Sequence, residues 1–137
     1  MSKELPDYED VAERLHSRWD EQDGPEFLDA LRALRELAES GNLEAAEFLA
    51  EIHTRHGPNH DAAAAYKWYF IVLSQQGYSV AFRDLNGIPP AYGGVVGDFR
   101  NEAQVSDLIS ELGFARVVEL DLEATAWLRA HGLPPAQ

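Results

Sequence analysis

A recurrence constrains this chain more than any other feature. Leu37, Gly41, Ala45 and Leu49 stand four residues apart, and Leu73, Gly77, Ala81 and Leu85 repeat them at an offset of 36. The next offset supplies Ile109, Gly113 and Val117 before the match fades at Asp121. A period of that length marks a helical-pair repeat, in which no pair covers its own apolar face and stacked neighbours share one core. Each glycine suits a left-handed helix end, and the small residue four positions later lets the next helix approach closely.

The segments between the glycines carry helical periodicity. Residues 7–22 place Tyr8, Val11, Leu15 and Trp19 on one stripe. Pro25 suits the first turn of a second helix over 26–40, with Phe27, Leu31, Leu34 and Ala38 inward. Residues 43–53 turn Ala45, Ala46, Leu49, Ala50 and Ile52 inward and Glu44, Glu47 and Glu51 outward. Asp61 can cap a helix that runs to Gly77 and is apolar on most sides, so it is expected at the centre, with Ala62, Ala65, Tyr69, Val72 and Leu73 on its tightest face. A shorter helix is expected over 78–86, a glycine- and proline-rich loop over 86–97, a helix over 98–112, and a last helix including 121–131 that starts at Asp121 or earlier. Residues 116–120 (RVVEL) suit a strand by composition but lack a partner strand, and they read as helix.

The stretch SGNLEAAEFLAEIHTRHGPNHDAAAAYKWYFIVLSQQG resembles a Sel1-like repeat, a relative of the tetratricopeptide repeat. Gly41, Ala45, Leu49, Asp61, Ala65, Trp68 and Tyr69 stand at matching places, and Tyr92-Gly93-Gly94-Val95-Val96-Gly97-Asp98 resembles the turn of a second copy. His53 replaces the usual Tyr, His56 the usual Gly, and Val72-Leu73 the usual Ala-Ala. The third copy lacks the Trp. The resemblance is good over 41–86, partial over 86–113 and absent at both ends. It implies an all-α chain: a single α/α superhelical solenoid domain over 1–137, with capping helices over 1–40, about two repeats over 41–113 and a C-terminal capping helix over 114–137. It also implies an adaptor that binds another protein on a concave face without chemistry of its own.

Composition narrows the function classes. The 137 residues contain no cysteine, which removes disulfides, thiolate metal sites and cysteine nucleophiles. The formal charge of −13 disfavours nucleic acid and anionic lipid as partners and favours a protein with a basic surface. The acid is concentrated outside residues 62–97, which hold only one of the 24 Asp and Glu residues. No secretory signal pattern opens the chain, and no segment approaches the ~18 apolar residues of a membrane span, so a cytoplasmic protein is expected.

The candidate chemistry is sparse. His53, His56 and His60 followed by Asp61 could furnish a metal centre, but Gly57-Pro58 breaks any helix that would align them. The expectation is that His53 packs, His56 and His60 belong to a turn, and Asp61 caps. No serine lies in a nucleophile elbow, and no phosphate-binding glycine loop carries its lysine. The reading is a protein-interaction module, not an enzyme, needing no cofactor or metal, with Glu44, Glu47, Glu51, His56, Tyr78, Phe82, Arg83 and Tyr92 meeting the partner. Its size and acidity also fit an immunity or antitoxin protein of bacterial type that covers a basic toxin. A metal-dependent enzyme using His53, His56, His60 and Asp61, and a homo-oligomeric scaffold, are the alternatives.

Overall fold

The computed structural model describes residues 5–76 and 102–133. The expected helix over 78–86, the loop over 86–97, Gly77 and the start of the helix expected at 98 lie outside the described residues.

All regular structure among the described residues is helical. The helices are α1 (Tyr8–Ser17), α2 (Pro25–Glu39), α3 (Leu43–Thr54), α4 (Ala62–Gln75), α5 (Ala103–Leu112) and α6 (Phe114–Ala130), with a 3-10 turn at Trp19–Glu21. No described helix is long and apolar enough to cross a membrane. Consecutive helices pack in order from α1 to α4, and α4 then also receives α5 and α6. α4 is the hub because it is apolar on nearly every side: Ala62, Ala65, Tyr66, Trp68, Tyr69 and the run Phe70–Ser74 are buried. The five residues expected on its tightest face are among them. An all-round apolar helix must be covered on all sides, and α3, α5 and α6 provide the cover.

Local chemistry fixes the junctions. α2 ends at Ser40, and the amides of Gly41 and Asn42 donate to the carbonyls of Ala38 and Leu37 at 3.0 and 3.1 Å. This is the Schellman arrangement, which needs a left-handed residue after the cap; Gly41 has φ 109°. Asn42 then starts α3 at once, its side chain accepting from the Ala45 amide at 3.0 Å. Asp61 caps α4 as expected, accepting from the Ala64 amide at 3.0 Å.

Two boundaries differ from expectation. The helix expected over 7–22 stops at Ser17 and reopens as the 3-10 turn. The indole of Trp19 lies edge-on to Phe27 at 6.0 Å and stacks on Phe48 at 6.2 Å. Tertiary aromatic packing there overrides helical periodicity. Secondly, the helix expected from 98 has Ala103 as its first described residue, with Glu102 extended as its cap. The last helix, expected to start at Asp121 or earlier, starts at Phe114, directly after Gly113, whose φ of 85° separates α5 from α6 within one residue. The reading of 116–120 as helix agrees with the structure. Asp121 sits within α6 and is 1% exposed, accepting a 2.7 Å hydrogen bond from Tyr66 of α4.

α6 packs back along α4 more than it packs on α5. Trp127 meets Trp68 edge-on at 5.6 Å, and His131 stacks on Trp127 at 3.8 Å. The two ring nitrogens of His131 lie 2.9 Å from the carbonyls of Trp127 and Glu39. The end of α6 is thereby fastened to the end of α2.

Replacing Asp61 with Ala should lower the unfolding free energy by about 1 kcal/mol, whereas Asn should be nearly neutral because it keeps the capping oxygen. Urea denaturation midpoints of the two variants check this.

Candidate functional site

α3 divides its side chains cleanly. Ala45, Ala46, Phe48, Leu49, Ala50, Ile52 and His53 are buried, while Glu44, Glu47 and Glu51 are exposed. Their spacing of three and four residues puts the carboxylates on one face. α1 lies beside that face. Tyr8 and His16 from α1, Phe48 from α3 and the three carboxylates line an open groove. His16 stacks on Phe48 at 5.2 Å and lies 5.8 Å from Trp19. At the far end of α3 the guanidinium of Arg55 rests 5.2 Å from the centre of the Trp19 ring.

The groove is electrostatically frustrated. Among the described residues none of Glu44, Glu47 and Glu51 is in an ion pair. Partial burial raises the Glu51 carboxyl above its ordinary value, and Glu47 adds to the rise, while Arg55 one turn on opposes it. Burial likewise raises the Tyr8 phenol, with Glu44, Glu51 and Glu47 each contributing. Burial is the larger cause of both shifts, and the smaller contribution of the neighbouring glutamates marks a face where further negative charge is disfavoured.

The histidine-rich turn is arranged otherwise. His53 is buried, and its Nδ1 lies 2.8 Å from the Asn59 carbonyl. Asn59 in turn donates through its side-chain amide to the Gln22 carbonyl at 2.8 Å, tying this turn to the α1–α2 connection. His56 is exposed and stacks on His60 at 4.8 Å. His60 reaches Glu111 of α5, with Nε2 at 2.8 and 3.0 Å from the two carboxylate oxygens. Asp61 is turned to its cap. Among the described residues no three His, Asp or Glu side chains are grouped to hold a metal ion.

Of the eight residues expected to meet a partner, Glu44, Glu47 and Glu51 share one groove. His56 lies apart, in a second hollow with Trp19, Asp20, Asp23 and Arg55. Tyr78, Phe82, Arg83 and Tyr92 lie outside the described residues. Tyr8, His16 and Phe48 are groove residues that sequence reasoning did not select. Tyr8 reads as part of the apolar stripe of its helix, and Phe48 is assigned to neither face of its own. For His16, the helical spacing to Trp19 was the available signal. Compared with protein families, curated proteins and solved structures, the chain matches none.

Glu51→Gln should raise thermal stability near neutral pH, because a carboxyl raised in the fold is costly when charged. The gain should be full above the raised folded value and vanish below the ordinary value of 4.5, where both the folded and unfolded forms are protonated. Melting temperatures of the two proteins across that range check the sign.

Proposed function

We propose that this chain is a cytoplasmic protein-binding module of Sel1-like helix pairs, which receives a basic segment of another protein in the groove between α1 and α3. The observation that carries the reading is the row of Glu44, Glu47 and Glu51, unpaired among the described residues and set against the half-buried ring of Tyr8. Unneutralised carboxylates attract a cationic partner over a distance. The adjoining Tyr8 ring suits the flat face of an arginine or the stem of a lysine. Arg55 lying over Trp19 is an intramolecular example of that chemistry on the same side of the molecule.

The order in which α1 to α4 pack, together with burial of Ala45, Leu49, Ala65, Trp68 and Tyr69 at repeat positions, supports the helix-pair reading. In such a stack the first helices of successive pairs line the recognition face, and α1 and α3 hold those places. A small acidic module of this type suits neutralisation of a basic toxin by covering its active surface, and we propose that role as its particular form.

Affinity capture with the full chain should retain a protein with a basic surface. The association rate measured with that protein should fall steeply with added salt. Glu44→Gln, Glu47→Gln and Glu51→Gln together should slow association at low salt by about tenfold and change dissociation less. An association rate indifferent both to salt and to the triple substitution would remove the groove from recognition.

A further inference from the structure

The turn from Arg55 to Asp61 connects α3 to α4 and also touches α5, which is far away in sequence. The link to α5 is His60, whose Nε2 donates toward both oxygens of Glu111. The other face of the contact is unusual. Nδ1 of His60 is buried and has no hydrogen-bond partner. In the neutral ring the hydrogen on Nε2 serves Glu111 and leaves an Nδ1 lone pair shut away from water. A second proton puts a full positive charge against Glu111 and makes that contact a charge-assisted one. The Glu111 side of the ring thus suits the imidazolium better than the neutral form.

We propose that the histidine-rich turn is a proton-operated clasp: protonated His60 fastens α5, through Glu111, to the α3–α4 hairpin, and loss of that proton loosens the attachment. His56 forms the back of the clasp, its ring stacked on His60 at 4.8 Å. The charged and titratable groups around His60 come from each neighbouring element. α5 contributes Glu111, the turn contributes Arg55 and His56, α3 contributes His53, and the start of α4 contributes Asp61. α2 contributes Arg32 and Arg35, which line the same hollow as His60. Of these, Arg32 is drawn toward Asp29 at 4.0 Å. The cations Arg32, Arg35 and Arg55 oppose the second proton, and Glu111 and Asp61 favour it. Direct contact decides the balance, since Glu111 lies at 2.8 Å.

The balance of effects agrees with the geometry. The hydrogen bond to Glu111 is the largest influence and raises the imidazole above its ordinary 6.5. Burial opposes the rise, and the Glu111 charge and the backbone of Thr54 and Arg55 add to it. A raised folded value means that the clasp contributes its full stabilisation below 6.5 and loses it as pH climbs through the folded value.

Hydrogen exchange of the full chain tests this, with rates corrected for the intrinsic pH dependence of amide exchange. Protection of the α5 amides is taken relative to those of α3 at about pH 5.5 and about pH 8.5. In the unaltered protein the relative protection of α5 should fall by about threefold or more between the two conditions. Glu111→Gln, at a site that is 45% exposed and so tolerant of change, should abolish most of that fall. His60→Lys, with a charge that persists at both conditions, should keep α5 protected throughout. In parallel, proton NMR should place the His60 titration above 6.5 and bring it down in Glu111→Gln. Equal relative protection at both conditions, the same fall in Glu111→Gln, or a His60 titration at or below the ordinary value would each overturn the clasp.

Discussion

Burial of α4 is the constraint on which the rest of the structure depends. Its sequence, AAAAYKWYFIVLSQ, offers water almost nothing, so the helix is stable only when covered on all sides. α3 covers one side through a tight hairpin. α5 and α6 cover others, and the return of α6 along α4 follows from the same need. The price is polar: Tyr66 brings a hydroxyl into this core, and Asp121 meets it there at 2.7 Å. A buried carboxylate is tolerated where it is hydrogen-bonded, so this pair sets the register of α6 on α4 more sharply than apolar contacts alone would.

Surface chemistry then divides by helix. α3 spends one face on the core and leaves three carboxylates on the other. The histidines do different work at each place they occur. His16 is part of an aromatic stack, His53 braces a turn, His60 reaches across to α5, and His131 joins the ends of α2 and α6. Long-range polar contacts by His60 and His131 hold the C-terminal helices against the N-terminal ones.

Much of the fold was legible because its signals are local. The helix cap at Asp61, the left-handed glycine at 41 and the apolar faces of α2, α3 and α4 all follow from residues within a few positions of one another. What escaped depends on residues distant in sequence. The break after Ser17 arises from Trp19 packing on Phe27 and Phe48, and nothing between residues 7 and 22 announces it. The burial of Asp121 was not legible either, because its partner Tyr66 stands 55 residues earlier. The site divided in the same way. The row of glutamates is a pattern within one helix, while Tyr8 and His16 belong to the groove only because α1 lies beside α3. The role of His60 required Glu111, which is 51 residues away.

The connection between α2 and α3 has a consequence for how such a chain can vary. Gly41 finishes one helix while Asn42 already begins the next, so the two share no slack. The angular phase of α3 about its own axis is therefore locked to that of α2. One added residue at this point would break the bonds that close α2 or displace the cap that opens α3, and α3 would lose its fixed setting against α2. The acidic face keeps its aim because the glycine turn and the asparagine cap directly adjoin.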